Sequence, residues 1–328
     1  MSNKILSISV ASYNVEKFIE QAIESYLDCN CKDKLEVLIV NDGSVDNTET
    51  IAKKYSEQYP DIIRIINQKN AGPGSTVNTG LKNANGKYFR MIDGDDWIKS
   101  DEMDTYIDFL EKNETDMVVT NFIEVDDKTG QQNKKNLKIN IEYNKEYYFD
   151  DICNNLELNM HNITYKTSLI KNNLKLDNCF YTDTQYLLYP MKVVKTVAFL
   201  KNHIYMYRVS LDTQSVNIKS LQKHCDMHEM VLYELINFYK ENSVGFCNTR
   251  KKYVSNRIAK MVGTQLYIYL SYNASEKYKT KIKTLLHILK NDSREIFNII
   301  AKKKTIILLR ISKYAMYKLI SNKIRRKQ

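Results

Sequence analysis

The sharpest chemical signal in the sequence is Asp93-Gly94-Asp95-Asp96-Trp97, which packs three acids and an indole into five residues. The apolar run 87–92 ahead of it reads as a buried strand. Acids gathered at the end of such a strand are electrostatically costly unless a cation is present. The cation that suits them is Mg2+ or Mn2+, which takes one or two protein carboxylates and completes its shell with phosphate oxygens. The competing reading is a solvated turn that caps the next helix, because D-x-D on its own is common. Two other strand ends carry polar clusters, Ala11-Ser12-Tyr13-Asn14 and Asn41-Asp42-Gly43-Ser44. Much later, Thr182-Asp183 sets a lone carboxylate at the start of a helix, where by itself it reads as an acid favoured by the helix dipole.

These residues meet only if the strands that carry them lie side by side. The first hundred residues alternate two periods: strands are expected over 5–11, 35–40, 62–66 and 87–92. Helices are expected over 15–27, with Asn14 as N-cap, after the polar turn that follows Val40, and over 75–83. Such alternation predicts a parallel sheet with helices on both faces, and ligands sit outside the carboxyl ends of its strands. The pattern then changes. A strand over 117–125, a polar turn and a partner strand over 137–143 are expected, then two short strands, 195–200 and 204–209, about a turn at Lys201-Asn202. Beyond residue 217 the chain reads as helical, over about 220–241, 249–271, 276–290 and 304–324.

Four segments, VASYNVEKFIEQAIESYL, LEVLIVNDGSVDNT, NAGPGSTVNTGLKNANGKYFRMIDGDDW and FYTDTQYLLYP, stand in an order and spacing that resembles the family 2 glycosyltransferases. The resemblance implies an α/β protein of GT-A fold: a Rossmann-like, mostly parallel mixed sheet flanked by helices, with a helical carboxyl-terminal region. The catalytic domain would span 1–217 and the helical, basic region 218–328. The activity implied is metal-dependent, inverting transfer of a sugar from a nucleoside diphosphate, expected to be UDP. The acceptor would be a glycan or polyprenyl-linked hydroxyl in bacterial surface-polysaccharide (capsule) assembly.

Residue by residue, the resemblance implies that Ala11 and Tyr13 line the nucleobase pocket and that Asp42 accepts the uracil imide N–H. Asn70 faces the nucleotide, Asp93 holds the ribose, and Asp95 binds the Mn2+ or Mg2+ that bridges the diphosphate. Asp96 supports the loop or else shares in metal binding, and Asp183 is the general base that takes the acceptor's proton. Arg208 and the Gln214-Ser215 turn would approach the diphosphate or the base. His161, beside Met160, is read as a satisfied core residue. The chain departs from the family pattern twice. Val77 stands where an Arg usually precedes Asn78, and Thr182-Asp183 replaces the frequent Glu-Asp pair, leaving one carboxylate.

Composition narrows the class. With 43% hydrophobic residues the chain can bury a core, and 9 Gly and 3 Pro exclude collagen-like and turn-dense all-β architectures. The six cysteines form no C-x-x-C pair and read as reduced thiols. The first apolar run is broken by serines and reads as a strand, not a signal peptide. No stretch approaches 18 uninterrupted apolar residues, so a soluble, cytoplasmic protein is expected. From Ser271 onward, 16 Lys+Arg face 3 Asp+Glu, a net of +13 that leaves −3 on the preceding residues. The basic tail suits either a packing helix or a peripheral anchor on anionic membrane. In the tail helix Ile307, Leu308, Ile311, Ala315 and Leu319 would share one face, with Arg310, Lys313 and Tyr317 opposite. Nucleic-acid binding through the tail is the competing non-enzymatic reading, and the acidic cluster and negative main domain count against it. A sugar-1-phosphate nucleotidyltransferase would need a glycine-rich, basic loop where ASYNVEKF stands, and no G-x-G-x-x-G supports a dehydrogenase.

Overall fold

The structure is a computed structural model and describes residues 4–211 and 217–326. The Gln214-Ser215 turn lies outside the described residues. The chain divides into two compact units, Met1–Asp212 and Thr213–Gln328, where the sequence expectation set the division after residue 217.

The first unit is built on one mixed sheet. β1 (Leu6–Ser12) and β2 (Leu35–Asn41) are buried almost throughout, as strands covered on both faces are. They run parallel to each other, to β3 (Ile63–Asn67) and to β4 (Tyr88–Asp93), in the order β3-β2-β1-β4. The crossovers hold α1 (Ile19–Leu27), α2 (Thr48–Gln58) and α3 (Pro73–Asn83). The short β5 (Trp97–Ile98) follows the acidic loop and leads into α4 (Met103–Lys112). Next come β6 (Met117–Asp126), β7 (Gln132–Lys135), β8 (Glu146–Tyr148) and the single turn α5 (Phe149–Ile152). β9 (Ile163–Lys166), α6 (Thr167–Ile170), α7 (Asp183–Leu188) and β10 (Thr196–Val209) complete the unit. β9 lies antiparallel between β4 and β6, and β10 runs parallel to β6 with β5 antiparallel on its far side.

Four expectations are corrected. Asn14 is not a helix cap: α1 begins at Ile19, and Asn14 has φ of 54°. Its amide donates to Ser44 Oγ at 3.0 Å and its Oδ1 accepts from the Val45 amide, which fastens the loop after β1 to the loop after β2. The partner of β6 is the polar β7, not 137–143. The turn after β6 closes at Gly130 (φ 70°), so the residues just past it pair first, and Leu137 instead donates to the Asn121 side chain. Lys201-Asn202 is no turn: 196–209 is one strand, and extra residues between Phe199 and Tyr205 bulge out of the ladder with β6. The Asn121 amide group bonds the Lys201 carbonyl at 2.7 Å and holds the bulge.

The second unit is helical: α8 (Ile218–Lys223), α9 (Cys225–Asn242), α10 (Asn248–Ser271), α11 (Glu276–Asp292), α12 (Arg294–Ala301), α13 (Lys304–Ile311) and α14 (Tyr317–Arg325). α10 is its spine, burying Val254, Ile258, Val262, Leu266 and Tyr269 against its neighbours. The fourth correction is here. The expected helix 304–324 is broken at 312–316, where Lys313 and Tyr314 take φ of 46° and 66° and the Tyr314 amide returns to the Leu309 carbonyl. The break resets the helical phase. Ile306, Leu309 and Tyr317 pack inward, while Ile307, Leu308, Ile311 and Leu319 are exposed.

Candidate active site

Three strand ends meet because β1, β2 and β4 are neighbours. Ala11 stands level with Val40 on one side and Asp93 on the other. The Asp42 amide donates to the Ser12 carbonyl at 2.8 Å and the Gly94 amide to the Ala11 carbonyl at 2.9 Å. A Cβ on Gly94 would sit 2.7 Å from that carbonyl oxygen, so only glycine lets the acidic loop lie this close to β1.

Within that loop the acids divide by environment. Asp96 is buried and accepts from the Tyr205 hydroxyl at 2.7 Å and the Arg208 amide at 2.7 Å, which pins the loop to β10. Asp93 and Asp95 are half-buried. Burial first, then the charges of Asp95 and Asp183, push the Asp93 carboxyl up to about 7. Burial also raises Asp95, with Asp127 adding to the rise and the Arg208 guanidinium opposing it. Below the loop the buried Arg90 faces the Tyr205 ring, and its guanidinium reaches Thr164 Oγ1 at 3.1 Å and the His161 carbonyl.

Arg208 is bonded to the acidic loop. It is 9% exposed and lies between the rings of Phe18 and Trp97, 4.6 and 4.7 Å from their centroids. Its Nε donates to the Asp95 carbonyl at 2.8 Å, Nη1 to Asp127 at 2.6 Å and Nη2 to Gln21 Oε1 at 2.6 Å. A planar five-donor fork used this way holds the acidic loop in place. Asp127 and Gln21 carried no signal in the sequence, since one stands in a polar turn and the other in a helix.

Asp183 is the first residue of α7 and is exposed. A chain of contacts across 98 positions fixes the loop that carries it. Asn78 on α3 exchanges two hydrogen bonds with Leu176, Nδ2 to the carbonyl at 2.8 Å and Oδ1 from the amide at 2.9 Å. The buried Gln185 side chain donates to Asp177 Oδ2 at 2.6 Å and accepts from the Asp177 amide. A Cβ on Gly74 would fall 1.9 Å from the Asp177 carbonyl oxygen, so α3 and this loop are in backbone contact. Val77, in the place of the usual Arg, is buried. Asn78 and Gln185 are thus positioning residues that the sequence reading passed over.

On the nucleotide side, Tyr13 is 50% exposed and Asn70 is exposed. Asp42 is 2% exposed and is engaged with the 68–72 loop: Oδ1 accepts from Gln68 Nε2 at 2.6 Å and the Ala71 amide at 3.0 Å, and Oδ2 from the Gly72 amide at 2.8 Å. One lone pair of Oδ2 remains outside these three bonds. His161 is half-buried and stacked on Tyr207 at 4.2 Å, and burial with Arg90 nearby lowers it to about 3; its buried Nδ1 has no hydrogen-bond partner among the described residues, so it is not the satisfied histidine expected.

Comparison with known proteins adds to this geometry. Residues 7–175, just over half the chain, match the family model described as glycosyl transferase family 2. The chain is 40% identical over 118 residues to the uncharacterised glycosyltransferase EpsJ of Bacillus subtilis, which is 36% of this chain and 34% of that protein. It is 33% identical over 137 residues to the minor teichoic acid biosynthesis protein GgaB of the same organism, 41% of this chain and 15% of that one. These two matches therefore span well under two thirds of either relative. The crystal structure of S. aureus TarS 1-349 in complex with UDP-GlcNAc aligns with a TM-score of 0.66 at 17% identity, covering 99% of this chain and 92% of that one. At that identity the likeness is one of fold, the mixed sheet flanked by helices of the GT-A class.

Proposed function

The chain belongs to the family 2 glycosyltransferases, and from that premise we propose that it moves a sugar from a UDP-sugar to a hydroxyl of a glycan or polyprenyl-linked acceptor, inverting the anomeric carbon. The observation that carries this reading is the placing of Asp95 and Asp183 near enough to Asp93 that the charge of each opposes its ionisation. TarS, whose structures hold UDP and UDP-GlcNAc, supports a uridine donor, and the printed name of GgaB supports a role in surface-polymer assembly.

The donor set fits a hard divalent ion. Asp93 and Asp95 offer carboxylate oxygens whose ionised forms are under-neutralised. They are too few to cage an ion alone, which suits Mn2+ or Mg2+ sharing its shell with phosphate. Asp95 would be the chief ligand, with Asp93 beside it and toward the ribose. When bound, the ion neutralises charge that develops on the departing diphosphate. The chain's own residues do the rest. Tyr13 would offer a ring face to the nucleobase next to Ala11, Asn70 would face the nucleotide, and Asp42 Oδ2 would accept the imide N–H. Arg208 acts through the loop it holds. Asp183 accepts the proton of the acceptor hydroxyl as that oxygen attacks from the face opposite the diphosphate.

We place this reaction in the cytoplasm, at a membrane surface that presents a lipid-linked acceptor. Among the described residues no helix is long and apolar enough to cross a membrane. The exposed Ile307, Leu308, Ile311 and Leu319 stand among the exposed Lys302, Lys304, Arg310 and Lys318, a composition suited to the boundary of anionic lipid headgroups. Nucleic acid is not a partner in this reading. The decisive test is UDP titration with and without Mn2+ on the wild type and Asp95→Ala. The wild type should bind more tightly with Mn2+, and the variant should lose both that gain and turnover while keeping its fold. Full activity in excess EDTA would sink the metal assignment.

A further inference from the structure

A second cluster of ligating side chains lies outside the acidic loop, where the sequence showed only an isolated C-x-C. Cys29 follows the end of α1, Cys31 precedes β2 by a short turn, and Asp104 stands in the first turn of α4. The fold brings Asp104 across 73 positions to the two thiols. Its Oδ1 accepts from the Cys31 amide at 2.8 Å and its Oδ2 from Asn30 Nδ2 at 2.8 Å. The two sulfurs are 3.5 Å apart, and one ligand atom from each of the three residues lies within 4.8 Å of the others.

The geometry points to a site for a thiophilic divalent ion, Zn2+ by chemistry, held by Cys29, Cys31 and Asp104 with a fourth position open to water. Tetrahedral Zn2+ with Zn–S bonds of about 2.3 Å sets two thiolates roughly 3.7–3.8 Å apart, so the observed sulfurs need to separate by only a few tenths of an ångström. The carboxylate is already oriented by the Cys31 and Asn30 donors, and each of its oxygens keeps a lone pair for metal. Such orientation by outer hydrogen bonds is a regular feature of metal sites. Cys31 donates its S–H to Cys29, so the two sulfurs already face each other. Binding the ion releases the thiol protons to solvent. Both cysteines are half-buried, so an ion can reach them.

The place of the site suggests what it does. The last turn of α1 holds the chain just beyond the acidic loop: the Ile98 amide donates to Ser25 Oγ at 3.2 Å, and Ser100 Oγ donates to the Ser25 carbonyl at 2.9 Å. At its other end, α1 supplies Gln21 to Arg208. An ion joining the end of α1 to the start of α4 would clamp the two elements that flank Asp93–Asp96. This is a structural role, distinct from the hard-cation carboxylates at the strand ends.

The test uses the full chain, kept reduced with a phosphine and saturated with Mg2+ so that the hard-cation site is occupied. Cd2+ is titrated while the ultraviolet thiolate-to-metal charge-transfer band is followed. The band should saturate at one Cd2+ per chain, be displaced by Zn2+, and vanish in Cys29→Ser/Cys31→Ser while persisting in Cys247→Ser. Asp104→Asn, which keeps the side-chain shape, should weaken Cd2+ binding by roughly tenfold or more. Zn2+ should raise the melting temperature of the wild type and not of the double variant. A flat titration, a band that survives the double variant, or unchanged affinity in Asp104→Asn would each overturn the site.

Discussion

Replacing Asp93 by Asn tests whether the acidic loop stores electrostatic strain. The folded Asp93 carboxyl keeps its proton up to about 7, against 3.8 for the free side chain. Between those values the folded chain binds more protons than the unfolded chain, so stability falls as pH rises through the window and levels off above it. A shift of about three units is worth roughly 4 kcal/mol, a ceiling because water reaches part of this half-buried group. Asp93→Asn keeps the shape and has nothing to ionise. In EDTA the variant should therefore be the more stable protein at pH 8, and its advantage should widen by roughly 2–3 kcal/mol between pH 5 and pH 8. Asp96, Asp95 and Asp183 remain in both proteins, so differencing the two urea-unfolding series leaves the Asp93 carboxyl together with its coupling to those neighbours. Mn2+ should narrow the gap at pH 8, because it stabilises the ionised carboxylates of the wild type. Parallel stability curves for the two proteins from pH 5 to 8 would refute the reasoning, since Asp93 would then titrate as an ordinary surface acid.

Three further outcomes are expected. Asp183→Asn should lower the transfer rate by roughly 10²–10⁴ with UDP affinity unchanged by calorimetry, and normal turnover would remove Asp183 from the base role. Gly74→Ala forces the Asp177 carbonyl away from α3 and should cost roughly 1–3 kcal/mol in urea unfolding. It should also reduce kcat more than UDP binding, because the displaced loop leads to Asp183. Ile311→Ser and Leu319→Ser, at positions 79% and 67% exposed, should change stability by less than about 0.5 kcal/mol. Together they should reduce co-sedimentation with anionic vesicles at low salt, and equal recovery from neutral and anionic vesicles would instead leave the tail a packing element only.

The sequence by itself determined whatever depends on local periodicity and on strand ends. Runs such as LEVLIV read as apolar strands, and once four of them alternate with helices in a parallel sheet their polar ends share one edge. That placed Ala11, Asp42, Asp93 and Asp95 at one edge before any coordinates, and the family motifs added Asp183. Tertiary structure alone decided what each polar group is bonded to. Arg208 was expected near the diphosphate or the base, and what its guanidinium bonds, Asp127 and Gln21 from a turn and a helix distant in the chain, could not be read beforehand. Gln68 and the backbone of Ala71 and Gly72 take most of the Asp42 carboxylate. β7 was illegible because an edge strand exposed on both faces has no apolar alternation, and the Lys201-Asn202 bulge because its polar pair looks like a turn in one dimension. The tail divided the same way. Its basicity could be read from composition, but two residues with positive φ broke the helix, reset its phase and turned Tyr317 inward. Cys29 and Cys31 gave no metal signal alone, since their third partner arrives only when α4 folds back beside α1. Hydrogen bonds and ligand sets are satisfied by whatever the fold brings within about 3 Å, and sequence separation carries no information about that distance.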